Sequence, residues 1–376
     1  MRKGWEYKKL GDCTQILDSQ RKPVTKRDRK SGIYPYYGAT GIQDYVDKYI
    51  FDGRYVLVGE DGAKWSSFTQ SAFIIEGKTW VNNHAHVLRT NDFLVDSFLV
   101  YFLNYSDLDS YISGAIIRKL TQASLRNIDI PLPPKSTQLA IVSELDKINE
   151  LIRLKKEQLK DFDNLAQSLF FEMFGDPVEN EKGWEVKKLD DVCIITSSKR
   201  IFADEYTETG IPFYRSKEVI ERSKGLPISV ELFISEERYN EIKEKFGVPK
   251  IGDILITAVG TIGKIWAIDT DNKFYFKDGN LVWLKDIDNQ LANSCFFRRL
   301  LEYLIEEYKK TNANGAAYNA LTIAKLKLMS CPLPPLSLQQ LFAQRIEQIE
   351  REKSEVQKSI QDLETLLASR MQYWFE

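Results

Sequence analysis

Cysteine and histidine are scarce in this chain of 376 residues, which has four of the first and two of the second. The cysteines are far apart and show no C-x-x-C spacing, which argues against a disulfide framework or a zinc site and fits a reducing compartment. His84 and His86 would share one face if they lay in a strand, but a third ligand nearby is missing. We therefore expect no metal bound by this chain.

Long apolar runs are missing as well. The first ten residues, MRKGWEYKKL, lack an apolar signal core, and no segment approaches the roughly 18 apolar residues that a membrane helix needs. The chain is longer than one hydrophobic core usually supports, so we expect two domains of about 100 to 200 residues each. The expectation is a soluble, cytoplasmic protein without membrane contact.

Recognised catalytic motifs are absent too: there is no G-x-S-x-G, H-E-x-x-H, Walker or dinucleotide-binding pattern. The glycine-rich stretch 58–65 contains Glu60 and Asp61, which would repel phosphates. The stretch 258–266 has Ile265 where a P-loop has Ser or Thr. Both are interpreted as turns between strands, and the chain reads as a binding protein.

An internal repeat is what the sequence does contain. Residues 4–10 read GWEYKKL and residues 183–189 read GWEVKKL; residues 114–134 likewise keep register with residues 315–335, sharing Gly-Ala, Leu-Thr and Pro-Leu-Pro-Pro. Each copy is therefore a globular stretch, a proline stop and a tail. The repeat predicts four segments: a domain at 1–135, a helix at 136–175, a domain at 176–336 and a helix at 337–376.

The two tails are predicted to be long helices. Each begins after a proline pair, where Ser136 and Ser337 would cap the first turn, and the first ends near Gly175. Apolar residues recur at alternating steps of three and four, which is typical of a coiled-coil seam. Each seam contains one lysine, Lys155 or Lys353. Packing of each tail against its own globular part is the alternative to pairing of the tails.

Both globular parts combine short strands with helices. Apolar and β-branched runs predict strands at 55–58, 73–75, 86–88, 254–257, 264–268 and 281–284, and helical periodicity follows at 95–104 and 292–309. The predicted fold class is α/β (α+β), with two similar globular domains and a pseudo-two-fold internal repeat.

Charge is uneven, although the net charge is only −2. Residues 1–135 are net basic, and the acidic excess lies in the tails. The densest basic cluster, residues 18–30, is followed by a tyrosine-rich stretch at 33–41. Such a segment can lie along a phosphate backbone, but the cluster alone favours an ordinary solvated loop.

Taken together, these motifs resemble the DNA specificity subunit of type I restriction-modification systems. The resemblance rests on the repeated G-W-x-x-K-K-L opening, the L-T-x-x-x-L-x-x-x-x-x-P-L-P-P closing, the helical tails, and stretches such as VNNHAHVLR and GDILITAVGTIGK. It covers essentially the whole chain.

The resemblance implies a non-catalytic subunit whose two target-recognition domains each read one half of a bipartite double-stranded DNA target. The long helices would form an antiparallel coiled coil that sets the spacing between the halves and docks two modification (methyltransferase) subunits, which restriction subunits then join. No cofactor is expected on this chain, while S-adenosylmethionine, ATP and Mg²⁺ belong to the partners. Because the two halves differ in sequence, the target should be asymmetric.

Candidate DNA contacts are basic, amide and aromatic side chains in predicted loops, where arginine or lysine favours guanine and asparagine favours adenine. For each of them an ordinary exposed polar role is the alternative. They are Arg21, Lys22, Lys26, Arg27, Tyr37, Lys64, Asn83, His84 and Lys119 in the first half, and Lys199, Arg200, Arg215, Lys217, Lys264, Asn314 and Tyr318 in the second.

Two other function classes compete with this interpretation. A DNA methyltransferase with its own catalytic site is disfavoured by the missing cofactor loop and the missing Asn/Asp-Pro-Pro-aromatic tetrad. A scaffold without DNA contact is supported only by the net charge near zero.

Overall fold

A computed structural model describes residues 4–114, 116–311 and 320–376. Tertiary contacts divide the chain into two compact units: unit 1 comprises Met1–Leu159 with Glu355–Glu376, and unit 2 comprises Lys160–Ser354. Each unit thus contains one globular part and a portion of both long helices. The segment boundaries predicted from the sequence follow the helix ends instead and stay a prediction.

Before the first long helix, the described residues of unit 1 contain ten strands and three α-helices. The strands are β1 (Glu6–Lys9), β2 (Thr14–Ile16), β3 (Ser31–Gly38), β4 (Gly41–Val46), β5 (Phe51–Gly59), β6 (Ala72–Val81), β7 (Ala85–Thr90), β8 (Ile112–Ser113), β9 (Lys119–Leu120) and β10 (Asp129–Leu132). The helices are α1 (Leu10–Cys13), α2 (Asp96–Tyr105) and α3 (Gln122–Arg126). The strands and the helix predicted in this half are confirmed.

The main sheet of unit 1 has six strands in the order β2-β7-β5-β6-β3-β4. In this sheet β6 pairs with β5 along most of its length and with β3, in parallel, at Trp80 and Val81. The N–H of Lys22, beyond the end of β2, donates to the carbonyl of Val81. This bond places the predicted basic segment beside the turn that follows β6.

Unit 2 contains the second set of elements, and its strands and helices match the remaining predictions. The strands are β11 (Glu185–Lys188), β12 (Ile194–Thr196), β13 (Tyr206–Thr207), β14 (Ile211–Tyr214), β15 (Phe233–Ile234), β16 (Ile254–Thr257), β17 (Ile265–Ala267), β18 (Tyr275–Phe276), β19 (Leu281–Lys285) and β20 (Ser330–Leu333). Between the long helices α4 (Lys135–Phe174) and α9 (Leu336–Phe375) lie α5 (Ser216–Ser223), α6 (Glu236–Phe246), α7 (Ser294–Thr311) and α8 (Ile323–Lys327).

The described residues of unit 2 contain two four-stranded sheets, with the orders β12-β19-β16-β17 and β13-β15-β14-β18, and the two-stranded pair of β11 and β20. β14 and β18 are parallel, with Phe213 opposite Tyr275 and Tyr214 opposite Phe276. In unit 1, β3 and the end of β6 have the same parallel pairing. The mixed α/β architecture with two similar globular parts is confirmed.

The repeated opening and closing motifs of each half are hydrogen-bonded to each other. β1 pairs antiparallel with β10, from Glu6 opposite Leu132 to Lys9 opposite Asp129. β11 pairs with β20 in the same way, from Glu185 opposite Leu333 to Lys188 opposite Ser330. The two motifs recur together because they are the two strands of one ribbon at the base of each globular part.

The glutamine that follows each proline pair is a buried hydrogen-bonding lock. Gln138 accepts from the N–H of Val95 at 2.9 Å and donates to the carbonyls of Phe93 and Pro133. Gln339 makes the equivalent bonds to Asn293, Leu291 and Pro334 at 2.8 to 2.9 Å. Both side chains are fully buried. The amide therefore ties the start of each long helix to the segment before α2 or α7.

Removing this lock should destabilise the fold. Gln339→Leu leaves three backbone polar groups without a partner, and each unsatisfied buried group costs about 1–3 kcal/mol. We expect a loss of about 3 kcal/mol or more in the free energy of unfolding of unit 2, measured by urea titration. Gln340 is exposed one residue further on, so Gln340→Leu should stay within about 0.5 kcal/mol of the wild type. Equal stability of the two variants would show that the hydrogen bonds of Gln339 do not stabilise the fold.

The long helices begin one residue earlier than predicted, at Lys135 and Leu336. Ser136 and Ser337 therefore lie within the first turn, and their predicted capping role is wrong. The carbonyl of Pro134 instead accepts from the N–H groups of Thr137 and Gln138. The predicted end at Gly175 is confirmed, because Gly175 has φ +74° and its N–H donates to Phe171.

Within each unit the portions of α4 and α9 contact each other in antiparallel register. In unit 1, Glu144 pairs with Arg370, and Lys156 pairs with Glu364 at 2.8 Å. In unit 2, Asp163 pairs with Lys353 at 2.8 Å, and the rings of Phe170 and Phe342 lie 5.7 Å apart. The predicted seam lysine Lys353 thus has an acidic partner on the other helix.

The helices also pack against the globular cores. In unit 1, Ile141 and Leu145 of α4 and Met371 of α9 share a core with Phe98 and Leu103 of α2. In unit 2, Phe170, Phe174 and Phe342 share a core with Phe296 of α7. Pairing of the tails and packing against the globular parts are therefore combined. No helix in the described part of the chain has the length and hydropathy to span a bilayer.

Candidate nucleic-acid interface

The basic segment of unit 1 is held against the sheet. Its backbone carbonyl at Lys22 accepts from Trp80 Nε1 at 2.6 Å, and Val24 exchanges hydrogen bonds with the hydroxyl of Tyr36. The guanidinium of Arg29 donates to the carbonyl of Val24 and lies 4.2 Å from the centroid of the Tyr36 ring. Residues 18–30 are therefore ordered against the sheet, whereas their charge alone favours a solvated loop. We call this segment the basic edge.

Three of the candidate cations project from this edge. Lys22, Lys26 and Arg27 are all exposed, and the last two lie in a single turn of 3₁₀ helix. Arg29 pairs with Asp44 and is largely buried. The edge thus presents these three candidates and Lys30 to solvent, while Arg29 fixes its backbone.

A nearly buried cluster of charged side chains lies behind this edge. Arg21 donates to Glu60 and to the carbonyl of Ala85, and Lys119 pairs with the other oxygen of Glu60 at 2.7 Å. His86, fully buried, has Nδ1 2.6 Å from Asp18 and donates from Nε2 to the carbonyl of Leu120. The cluster joins the ends of β2, β5, β7 and β9.

Both carboxyl groups of the cluster favour their charged form. Burial raises the pKa of Asp18, but the bonds and charges from His86, from the N–H of Val87 and from Arg21 outweigh this effect, so the pKa lies below its usual value. Burial likewise raises the pKa of Glu60, and Lys119 and Arg21 bring it below its usual value. Asp18, Glu60 and His86 have metal-ligating atom types within 4.8 Å, yet the two cations already neutralise the carboxylates.

The turn before β7 carries two further candidates. The N–H of His84 donates to the side chain of Asn82, and its ring Nδ1 lies 2.5 Å from Asp61. Asn83 is exposed, and its carbonyl accepts from Arg21. β7 begins only at Ala85, so His84 lies in an exposed turn and does not share a strand face with the buried His86. The condition for a shared face, that both histidines lie in one strand, is therefore not met.

Tyr37 and Lys64 occupy different environments. Tyr37 is half-buried against Phe73, with ring centroids 5.9 Å apart, and burial raises the pKa of its hydroxyl. Lys64 is exposed in the turn after β5, where the buried Trp65 donates from its indole to the carbonyl of Gly59. The stretch 58–65 was predicted to be a turn between strands; Val58 and Gly59 still belong to β5, and the turn begins after them.

In unit 2 the equivalent edge lies where β14 and β18 end. Because the two strands are parallel, the residues that follow them, 215–217 and 277–278, lie side by side, and the N–H of Lys277 donates to the carbonyl of Tyr214. Arg200 pairs with Asp278 at 2.8 Å and is two-thirds exposed. Arg21 and Arg200 occupy the same place in the repeat, since each lies 17 residues after the opening glycine.

Arg215 and Lys217 share an acidic partner at this edge. Arg215 Nη2 lies 2.8 Å from Glu231, and Lys217 Nζ lies 2.6 Å from the other oxygen of the same carboxylate. Arg215 is also bound to the buried Glu218 at the start of α5. These contacts hold two candidate cations at the start of one helix.

The remaining candidates of unit 2 are less informative. The backbone N–H of Lys199 donates to the hydroxyl of Tyr275, and its ammonium lies 4.2 Å from the centroid of the Phe246 ring. Lys264 follows the turn between β16 and β17, as predicted, and its N–H donates to Thr257 Oγ1. Asn314 and Tyr318 lie outside the described residues.

Comparison with known proteins identifies the family of this repeated framework. The family model for the type I restriction modification DNA specificity domain matches residues 2–161 and again residues 181–365. The chain belongs to this family. It is the specificity subunit of a type I restriction-modification system, as the sequence motifs predicted.

Curated relatives of this specificity subunit share its length. A putative type I restriction enzyme specificity subunit of Haemophilus influenzae is 33% identical over 353 residues, which cover 92% of this chain and 87% of the relative. The MjaVIII specificity subunit of Methanocaldococcus jannaschii is 24% identical over 96% of this chain and 92% of its own. The similarity therefore extends over both halves.

Solved structures are similar in fold. A chain from a structural study of complex assembly and conformational transition in the type I restriction-modification system is 20% identical, with a TM-score of 0.64, and covers 100% of this chain and 98% of its own. The crystal structure of an S subunit from M. genitalium gives 15% identity and a TM-score of 0.53, covering 99% and 96%. At these identities the match concerns the fold alone.

The structure brings some of the predicted residues of this specificity subunit together and separates others. In unit 1 Arg21, Asn83, His84 and Lys119 meet through the charged cluster, while Lys22, Lys26 and Arg27 lie on the adjoining edge. In unit 2 Arg200, Arg215 and Lys217 converge where β14 and β18 end. Arg21 is only 12% exposed, so its contacts position neighbouring segments.

Sequence reasoning missed the acids that organise these cations. Asp18, Glu60 and Glu231 each hold one or two of the candidate residues. A search for DNA contacts selects cations, and Glu60 was noted only as a group that repels phosphate. Asp18 is the first residue of the basic cluster, which is a usable signal in the sequence, whereas nothing local connects Glu231 to Arg215.

Proposed function

We propose that this specificity subunit recognises a bipartite, asymmetric double-stranded DNA target, with each unit reading one half. The proposal rests on a contrast between the two repeats of this chain: their structural framework is the same, but the cations that each repeat exposes differ. The strand ribbon and the glutamine lock are the same in both units, but the edges present Lys22, Lys26 and Arg27 in one unit and Arg200, Arg215 and Lys217 in the other. Two similar frameworks that expose different cations are suited to binding two half-sites of different sequence.

Base contacts in this proposal come from the exposed candidates at these edges. Arginine and lysine can donate to the two acceptors of guanine in the major groove, and an asparagine such as Asn83 can pair with adenine. Cations that do not reach base edges would contact phosphates, which adds affinity without sequence preference. Arg21 is excluded from the contacting set, because its guanidinium is occupied by Glu60 and Asp18.

The long helices have two roles in the proposal. They form an antiparallel coiled coil that sets the spacing of the half-sites, and they dock two modification (methyltransferase) subunits, which restriction subunits then join. Each helix runs for 40 residues, which is about 60 Å at 1.5 Å per residue. The antiparallel contacts within each unit support a coiled coil, and a chain with an internal two-fold repeat suits two copies of one partner.

Catalysis and cofactors belong to the partners in this proposal. S-adenosylmethionine, ATP and Mg²⁺ are bound by the modification and restriction subunits, and this chain contributes recognition only. A methyltransferase site on this chain is the alternative.

Sequencing of methylated sites in a genome that expresses this chain with its modification subunits tests both ideas. We expect one asymmetric motif of two short halves separated by a fixed number of unread bases, and no methylation when the chain is expressed alone. Methylation by the chain alone would establish the alternative, and a single continuous motif would refute the bipartite proposal. The modification subunits expressed without this chain are the matched control, and they should methylate no such motif.

A further inference from the structure

Glu231 in unit 2 holds two of the proposed DNA contacts at the same time. One oxygen accepts from Lys217 at 2.6 Å and the other from Arg215 at 2.8 Å. The hydrogen bonds from Lys217 and Arg215, together with the positive charges of these two side chains, lower the pKa of Glu231 to about 2. The carboxylate is therefore ionised at neutral pH.

A similar trio in unit 1 provides a comparison. Glu60 also binds one arginine and one lysine, Arg21 and Lys119. The side chain of Glu60 is 10% exposed, whereas that of Glu231 is 53% exposed. A buried ion pair is held by the surrounding fold, but an exposed pair exchanges readily with water and ions and adds little stability. The ion pairs of Glu60 therefore have a structural role. Those of Glu231 add little to the stability of unit 2, so stability does not explain why Glu231 is placed between Arg215 and Lys217.

Glu231 lies where it would affect the binding of DNA phosphates. Arg215 and Lys217 follow the end of β14, at the edge where Arg200 is also found. A phosphate that approached this edge would meet the Glu231 carboxylate between the two cations, and like charges repel at this range. Glu231 thus competes with any phosphate for the same two side chains.

We propose that Glu231 acts as an electrostatic shield in unit 2, occupying Arg215 and Lys217 in free protein and on non-target DNA and giving them up only when a target half-site is bound. The inference rests on the proposed function, because it assumes that this edge meets DNA. The shield lowers affinity for every sequence but lowers it most for DNA that offers only phosphates. Base contacts at a target half-site offset the displacement of Glu231, so the shield increases the ratio of specific to non-specific affinity.

The test uses Glu231→Gln in the full chain assembled with its modification subunits. Fluorescence anisotropy would measure the affinity for a target duplex and for a scrambled duplex between 50 and 200 mM salt, a range over which phosphate contacts change affinity strongly. With the shield removed, non-specific binding should tighten on the order of 3- to 10-fold at the lowest salt, and its salt slope should steepen by about 1 to 2. Binding to the target should tighten less.

Two control variants isolate the shield from a general charge effect. Glu236→Gln removes the same charge from an exposed pair with Lys273 in the same unit, and it should leave the salt slope unchanged. Adding Lys217→Gln to Glu231→Gln should return the non-specific slope toward the wild-type value, because Lys217 is the cation that the loss of Glu231 releases most, while Arg215 stays paired with the buried Glu218. Thermal unfolding should show that all variants are folded.

The outcomes separate this inference from the proposed function. If the wild-type complex binds no duplex at any salt concentration, the proposed function fails and the shield fails with it. If the wild type binds but Glu231→Gln leaves non-specific affinity and slope unchanged, only the shield is overturned. A selective loss of target affinity would also overturn it, since Glu231 would then be a base contact, such as an acceptor for the amino group of cytosine.

Discussion

A chimaera in which residues 14–120 are replaced by the matching block of a relative with another target is expected to change one half of the methylated motif completely. The other half and the number of bases between the halves should stay as they were. The block contains the basic edge, the charged cluster and the turn before β7, but neither strand of the β1–β10 ribbon nor the long helices. The replaced part is the proposed reader, and the retained part is the proposed frame.

The physical condition for this result is that the block still packs on the helices. Phe98, Phe102 and Tyr105 of α2 all contact Phe375 near the end of α9, with ring centroids 5.5 to 5.7 Å apart. A second chimaera should therefore keep these three aromatic residues while replacing the rest of the block. Recovery of activity in the second chimaera alone would indicate a packing defect in the first.

Sequencing of methylated sites decides between the modular proposal and its alternatives. Motifs that change in both halves would contradict independent reading by the two units. A change in the number of unread bases would contradict the assignment of spacing to the helices, because neither helix was altered. The matched control replaces the block of residues 194–320 instead, which should change the other half only.

The repeat and the helices could be predicted because their signals are local or literally repeated. Gly175 marks the end of α4, and a positive φ angle there is the conformation that glycine adopts at low cost. The seam positions Ile141, Leu145 and Ile360 are buried as the three-four spacing predicts. The identical G-W-x-x-K-K-L openings predicted two similar parts without any knowledge of their fold.

The composition of the two units could not be predicted in the same way. Met371 and Phe375 at the end of the chain belong to the core of unit 1, together with Phe98. Local periodicity reports that a residue faces a core, but it does not report which core. The parallel pairing of β3 with the end of β6 was likewise hidden, because it joins residues more than 40 positions apart in the sequence.

In the candidate site, too, some features of the side chains could be predicted from the local sequence and others could not. Lys22, Lys26 and Arg27 are exposed, as a basic cluster suggests, while Arg21 in the same cluster is bound to Glu60. Charge density in the sequence cannot distinguish these cases, because Glu60, which binds Arg21 together with Asp18, is 39 residues away. The roles of the cations as DNA contacts stay a prediction.

Glu60→Gln should cause a large loss of stability confined to unit 1. The substitution keeps the shape of the side chain but removes the counter-charge that the largely buried Arg21 shares with the more exposed Lys119. Breaking a buried ion pair by removing one partner costs about 3–5 kcal/mol. Hydrogen exchange should quicken at the amides of Leu120 and Val87, which the cluster holds, and should not change in β16 or β19 of unit 2.

The pH dependence supplies an independent check on the same variant. The pKa of Glu60 in the folded protein lies below its usual value, so its charged form stabilises the fold. That contribution is complete above the unfolded pKa of about 4.3 and disappears as the pH falls through the lower folded pKa. The stability difference between wild type and Glu60→Gln should therefore be largest near neutral pH and should narrow below about pH 4.

Glu76→Gln is the matched control, because Glu76 pairs with Arg54 in an exposed place of the same unit. The same change of charge there should alter the stability by no more than about 1 kcal/mol, since exposed ion pairs contribute little. If Glu60→Gln proved as mild as Glu76→Gln, or if its effect did not shrink in acid, the cluster would not be what holds β5, β7 and β9 together. Arg21 and Lys119 would then become available as DNA contacts, and the distinction drawn between Glu60 and Glu231 would be lost.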